Sequence, residues 1–284
     1  LSDREIEARR GTIYDSQGNV LAQSATVYDV FIDPSKITDK NRSILVDMLT
    51  DVLKYDSAKR DELVEKTHKE GKYVVVERKV EYKIRKAIAE FMDAEENKQY
   101  RLRNCLGFEE TTRRYYPYGK LASPVLGFVG SDNQGLEGIE AYYDEELQGV
   151  NGRIITVADA ACKSISDDFE TTIAAEDGNS LVLSLNSSIQ HTLETGLQDI
   201  LEEYDAKGTY GVVMDVQTGA VLAMASLPSY DCNNPRTVVY DKYIEEIKKE
   251  TDTDKKAELE SAYIQKQWRN FTVSDTYVTG SVFK

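Results

Sequence analysis

Apolar and polar positions along the chain switch between a period of two and a period near three and a half, and those switches predict the elements. Arg9 to Ala22 reads as strand, turn and strand, because Asp15 to Gly18 places Asp first and Gly last in a tight turn. Tyr28 to Asp33 alternates as a half-buried strand does before Pro34 stops it. From Ser35 to about His68 the pattern is helical, with Ile44, Met48, Leu49, Val52 and Leu53 on one stripe. Lys72 to Glu77 is a short β-branched strand. Tyr82 to Glu95 returns to helix, with Ile84, Ala87, Ile88, Phe91 and Met92 turned inward.

Between 113 and 152 glycines recur at irregular spacing among apolar residues. That combination calls for backbone at positive φ or in close approach, not for a flexible linker. Beyond Val150 the order is strand, helix, hairpin. Ser180 to Leu185 is the strand, and Ser187 to Gln190 matches a capping box. The helix it opens has an apolar face of Ile189, Leu193, Leu197, Ile200, Leu201 and Tyr204, leaving Glu194, Asp199, Glu202 and Glu203 to water. The hairpin runs from Gly211 to Ala225 around Val216-Gln217-Thr218-Gly219. Both arms are nearly all apolar, which predicts burial on both faces. A charged stretch from Tyr240 to about Gln267 reads as an exposed helical insertion.

The 284 residues suggest two domains, each able to bury a core. A composition 40% hydrophobic and 30% charged is that of a globular chain. The formal net charge of −15 argues against a nucleic-acid surface, which needs a basic stripe. No apolar run approaches the ~18–20 residues of a membrane span. The chain starts at Leu1 without Met or a signal-peptide pattern, as an excised segment would whose N-terminal anchor has been removed. Cys105, Cys162 and Cys232 are too scattered for a disulfide framework. His68 and His191 read as surface residues, so no metal or cofactor is implied.

The candidate chemistry lies at the end, in Gly280-Ser281-Val282-Phe283-Lys284. On a helix, a serine and a lysine three positions apart share one face. The amine can then take the hydroxyl's proton and leave a nucleophile. A chain this long holds about one S-x-x-K by chance. The spacing alone therefore leaves two readings open: a nucleophile with its base, or a solvent-facing pair on an ordinary helix.

Seven motifs in order extend the argument. They are R-G-x-I-x-D-x-x-G-x-x-L-A from Arg10; R-x-Y-P from Arg114; G-x-E-G-x-E from Gly135; D-V-Q-T-G-A from Asp215; P-S-Y-D-x-N-N-P from Pro228; W-R-N from Trp268; and G-S-x-x-K from Gly280. Together they resemble a class B penicillin-binding protein, a peptidoglycan D,D-transpeptidase of the division or sporulation type, in which S-x-x-K is accompanied by S-x-N and K-[ST]-G. The resemblance implies an α+β fold: an elongated pedestal or dimerisation-type module in residues 1–150, then the beginning of an α/β serine transpeptidase domain in 151–284. It further implies that Ser281 is the nucleophile and Lys284 its proton acceptor. The substrate is then the D-Ala-D-Ala end of a stem peptide, β-lactams trap the same serine, and cell-wall or division proteins, such as a membrane glycosyltransferase, are the partners. The implied location is the extracytoplasmic face of the bacterial cell membrane, with an anchoring helix ahead of this chain and S-x-N and K-[ST]-G beyond Lys284.

Some positions depart from the family pattern. Val278 and Thr279 stand where Glu-Pro is common, Val282 where Thr is, and Cys232 where Pro is. None removes a group on which the mechanism depends. Ser131-Asp132-Asn133 spells S-D-N but falls in the glycine-rich stretch, as a loop match. A partner-binding scaffold without catalysis and a β-lactam sensor remain alternatives, the long pedestal speaking against the sensor.

Overall fold

The computed structural model describes residues 2–156 and 170–276. In chain order its elements are β1 (Ser2–Ile6), β2 (Ile13–Tyr14), β3 (Val20–Ile32), α1 (Asp39–Leu53), α2 (Ser57–Lys66), β4 (Val74–Val80), α3 (Tyr82–Asp93) and β5 (Leu106–Tyr115). Three short helices follow, α4 (Ser123–Leu126), α5 (Gly138–Tyr142) and α6 (Asp144–Gln148), then β6 (Gly152–Thr156), β7 (Glu170–Ile173), β8 (Leu181–Val182) and α7 (Ser187–Glu203). The hairpin β9 (Thr209–Met214) and β10 (Val221–Leu227) leads to α8 (Asp241–Lys249), α9 (Thr253–Trp268) and α10 (Phe271–Ser274). The chain divides into two compact units, residues 25–113 and residues 1–24 with 114–284. Among the described residues no helix is long and apolar enough to cross a membrane.

In the unit 25–113, β3 pairs antiparallel with β4, Phe31 opposite Val75 and Ile32 opposite Val74. Helices α1 and α3 pack together, and the core collects Ile32, Leu45, Leu49, Leu63, Ile88 and Met92. The helical stretch expected from Ser35 to His68 is two helices. Lys54 ends α1 in the left-handed region at φ 55°, and the Asp56 carboxylate accepts from Lys59 N–H to start α2. Of the expected stripe, Met48 and Leu49 are in the core and Ile44, Val52 and Leu53 pack against it partly buried, while Leu45 and Val46 are buried as well.

In the other unit, β1, β6 and β7 form an antiparallel sheet. β2 pairs antiparallel with the start of β3 and parallel with β8, Ile13 lying opposite Leu181. The core draws Ile13, Phe128 and Leu147 from before residue 150 and Leu185 and Tyr230 from after it. The glycine-rich stretch folds into α4 to α6 as its glycines demand. Gly138 sits at φ 60°, and a Cβ on Gly135 would lie 2.0 Å from the Glu140 carbonyl oxygen.

Two expectations about α7 fail. Its N-cap is Asn186, whose side-chain oxygen accepts from Ser188 and Ile189 N–H, so Ser187 is inside the helix and its hydroxyl donates to Asp15 instead. The helix also presents Gln190 to the hairpin, where Gln190 Nε2–H donates to the Met224 carbonyl and Met224 N–H to Gln190 Oε1, both at 2.8 Å. That rotation carries Glu194 inward and leaves Ile200 and Tyr204 47% and 70% exposed. The hairpin has α7 on one face, where Gly211 meets Leu193 and Leu197, while Tyr210, Val212 and Met214 of β9 are exposed on the other. The charged insertion is the helix pair α8–α9, with its own small core in which Tyr243 stacks on Tyr263 at 4.0 Å.

Candidate active site

Ser281 and Lys284 lie outside the described residues; the path that leads to them is described. At the end of α9 the Trp268 indole N–H donates to the Pro235 carbonyl (2.7 Å), and its ring lies 4.9 Å from Phe128. Phe128 meets Tyr230 edge-on at 5.8 Å. Tyr230 is fully buried, and its hydroxyl donates to the Ser123 carbonyl at 2.9 Å. Asn270 then caps α10 by accepting from Thr272 N–H (3.2 Å), while Phe271 N–H donates to Ser226 Oγ (3.3 Å) on β10. Arg269 pairs with Asp275 and donates to the Ser274 carbonyl at 3.2 Å. W-R-N and the Phe271 that follows it thus fasten the chain to the hairpin, Asn270 lying eleven residues before Ser281.

Further back, three motifs meet in one buried ion cluster. Arg10 Nε–H donates to Glu140 Oε2 (2.6 Å) and Arg114 Nε–H to Glu140 Oε1 (2.7 Å), all three side chains being at most 1% exposed. Tyr116 O–H donates to the same Oε1 at 3.2 Å. Arg10 also reaches Asp144 Oδ1 (2.6 Å), which accepts from Gly135 N–H (2.7 Å), and Arg114 donates to the Gly11 carbonyl (2.6 Å). Burial, with the Glu140 charge added to it, holds the Tyr116 phenol well above its ordinary range. Sealed from solvent, the cluster cannot touch a substrate; it locks Arg10, Arg114 and Glu140, remote in sequence, into one scaffold.

P-S-Y-D-x-N-N-P is stitched to that scaffold. Asn233 accepts from Tyr116 N–H (3.0 Å) and donates to the Tyr116 carbonyl (2.9 Å), and Cys232 N–H donates to the Gly119 carbonyl (3.1 Å). The opening motif contributes Asp15, buried in its turn. Asp15 accepts from Gln17 and Asn19 N–H (2.8 Å each) and from the Ser187 hydroxyl (2.6 Å). Burial alone would raise this carboxyl, but those donors hold it well below the usual range. Ser131-Asp132-Asn133 is indeed a loop, its Asn133 carbonyl accepting from Arg10 at 3.1 Å. The motifs are visible in the sequence, whereas their convergence is not. The signal that could have found it is two arginines and a glutamate set in otherwise apolar, glycine-rich stretches, since buried charges need partners.

Comparison with known proteins accords with this arrangement. Residues 5–183 match the penicillin-binding protein dimerisation domain, and residues 209–284 the penicillin-binding protein transpeptidase domain. The chain is 30% identical over 231 residues to stage V sporulation protein D of Bacillus subtilis (strain 168), covering 80% of this chain and 33% of that protein. It is 31% identical over 232 residues to the probable peptidoglycan D,D-transpeptidase PenA of Neisseria meningitidis serogroup A, covering 81% and 38%. The chain therefore spans between about a third and two fifths of the length of these relatives. In fold it is similar to penicillin-binding protein 2X from Streptococcus thermophilus, with a TM-score of 0.61 and 24% identity over 82% of this chain and 36% of that one. With one family model matching residues 5–183, more than half of the chain, and a second matching residues 209–284, this chain belongs to the penicillin-binding proteins and combines an α+β dimerisation domain with residues of the transpeptidase domain.

Proposed function

We propose that the intact protein is a peptidoglycan D,D-transpeptidase working through an acyl-serine intermediate, with Ser281 as nucleophile and Lys284 as its base. The observation that carries this is the transpeptidase match over 209–284, which ends on Gly280-Ser281-x-x-Lys284. The fastening of Asn270 and Phe271 to β10 supports it, because a nucleophile must be held within about half an ångström of its productive position. Lys284 must be neutral near pH 7 although free lysine titrates near ~10.4, so burial or nearby cations would have to lower it.

In this reading Ser281 attacks the carbonyl of the penultimate D-alanine, the terminal D-alanine leaves, and an amine of a neighbouring strand resolves the ester. β-Lactams acylate the same oxygen. Residues 1–150 serve as pedestal and 151–284 open the catalytic domain, on the extracytoplasmic face of a bacterial membrane and behind an anchoring helix. The pedestal docks other cell-wall or division proteins. Treatment of the intact protein with penicillin should give a single mass adduct on the peptide carrying Ser281. Lys284→Arg keeps the charge but cannot give up its proton, and should slow acylation by orders of magnitude while leaving the fold intact. An adduct that survives Ser281→Ala, or normal acylation in Lys284→Arg, would refute the assignment.

A further inference from the structure

The G-x-E-G-x-E and W-R-N motifs also meet at a place that neither the ion cluster nor the path to Ser281 explains. A cavity of about 710 Å³ lies between α4–α5 and the end of α9 with α10. That is within the range of clefts that take ligands, about 300–1,000 Å³. Its walls combine apolar Val125, Ile139 and Val273 with the aromatic rings of Trp268 and Tyr142, and Glu137 supplies a carboxylate. Tyr142 is 80% exposed and Val273 69%, so this lining is open to solvent.

Glu137 differs from Glu140, three residues on in the same motif. Glu140 receives two guanidinium groups. The Glu137 side chain is exposed and makes no hydrogen bond or ion pair among the described residues, while its backbone carbonyl accepts from Ala141 N–H; partial burial against its surroundings raises its carboxyl above the ordinary range. The cation across the cleft does not answer it, because Arg269 is engaged by Asp275 and the Ser274 carbonyl. A carboxylate that lines the cleft without a side-chain partner favours an incoming cation, and the aromatic rings in the same lining favour the same charge. The wider field agrees. Residues 25–113 hold eighteen acidic and eighteen basic side chains, so the whole net charge of −15 belongs to the unit that contains the cleft. Such a surface steers basic partners in and turns anionic ones away.

We propose that this cleft is a docking site for a short basic and apolar peptide segment of a partner protein. A Lys or Arg of that segment pairs with Glu137, and a neighbouring apolar side chain lies against Val125, Ile139 and Trp268. One wall is α10, seven residues ahead of Ser281, so an occupant would bear on the catalytic segment. That consequence rests on the transpeptidase reading; the binding itself does not.

Trp268 is the only tryptophan of the chain and lines the cleft, so its emission reports occupancy directly. The probes are acetyl-Leu-Lys-Phe-Lys-Leu-amide and the same peptide with both lysines replaced by glutamate, titrated into the 284-residue chain. The basic peptide should give a saturable change in emission. The acidic one should bind weaker by about tenfold or more, the usual cost of losing a charge-assisted hydrogen bond. Glu137→Gln should weaken the basic peptide by a similar factor, with emission and urea midpoint in the absence of peptide unchanged. Glu203→Gln, which changes an exposed charge on α7, should leave it unaltered. An equal response to the two peptides, no response at millimolar concentration, or a Glu137→Gln chain that binds like the wild type would overturn the proposal. The assay involves no acylation, so its failure would leave the assignment of Ser281 standing, and the reverse holds as well.

Discussion

Replacing Glu140 by glutamine keeps the volume of the side chain and removes the one charge on which two buried guanidinium groups converge. Glu140 is fully buried, and its oxygens lie 2.6 Å from Arg10 Nε and 2.7 Å from Arg114 Nε. After Glu140→Gln the amide offers one neutral oxygen and turns an NH2 toward the other guanidinium; Arg10 keeps the carboxylate of Asp144, whose side chain is 22% exposed, while Arg114 keeps no anionic partner and already has one nitrogen, Nη2, without a partner among the described residues. Breaking a buried ion pair by neutralising one side costs about 3–5 kcal/mol, because the stranded charge remains desolvated. With a urea slope of about 2–3 kcal/mol per molar, the midpoint should fall by about 1–2 M. Trp268 makes the assay specific: residues 25–113 contain no tryptophan, so its emission follows only the unit that holds the cluster. Adding Arg114→Met should recover part of the loss by removing one stranded guanidinium. A Glu140→Gln midpoint within about 0.3 M of wild type, a difference of under ~1 kcal/mol, would show that water relieves the stranded charges and that the cluster is no lock.

Three further outcomes follow from the same geometry. The folded Asp15 carboxyl lies below its ordinary value of 3.8, so its stabilisation is complete above that value and is lost as pH falls through the lower one. Asp15→Asn should therefore cost about 1–3 kcal/mol at neutral pH, with the gap to wild type closing only below about pH 4; a gap already closed at pH 5 would contradict the Ser187 and Asn19 contacts. Glu194 has the opposite sign: burial, partly offset by donors from Gln190 and Ala122, raises it above 4.5, so its contribution is greatest below that pH and declines as pH rises through the raised value. Glu194→Gln should flatten this decline in urea midpoints between acid and neutral pH, and an unchanged slope would put Glu194 back in water. Finally, Val212→Lys with Met214→Lys on the open face of β9 should cut dye binding and aggregation of the 284-residue chain, changing stability by about 0.5 kcal/mol or less; unchanged dye binding would mean that this face is not the exposed apolar surface.

Much of the fold could be read from periodicity because most elements bury one face in the ordinary way. α3 turns Ile88 and Met92 inward as its stripe requires, and the glycines between 113 and 152 adopt positive φ or close approach. The errors fall where a polar side chain serves a tertiary contact. Hydrophobic periodicity assigns Glu194 to water, but the Ala122 N–H donates to it at 2.7 Å, and Gln190 fills a helix position that pattern alone gives to an apolar residue. Ser187 carried a capping signature, yet Asn186 one position earlier holds the free amides and releases Ser187 to Asp15. One helix was expected where Lys54 in the left-handed region makes two, since lysine gives no warning of a stop. Of the site, the motifs were legible one by one. That Arg10 and Arg114 share the Glu140 carboxylate depends on contacts 130 and 26 residues apart, which no local pattern encodes. Ser281 and Lys284 stand on sequence and family likeness.

The most direct test of transpeptidase chemistry gives the intact protein a pentapeptide ending in D-Ala-D-Ala, quenches with acid within seconds, and maps the covalent adduct by mass. The account predicts release of one D-alanine for each acyl group formed, an ester on Ser281 in the wild type, and neither in Ser281→Ala. Release of D-alanine by a folded Ser281→Ala protein, or an ester on any other residue, would contradict it.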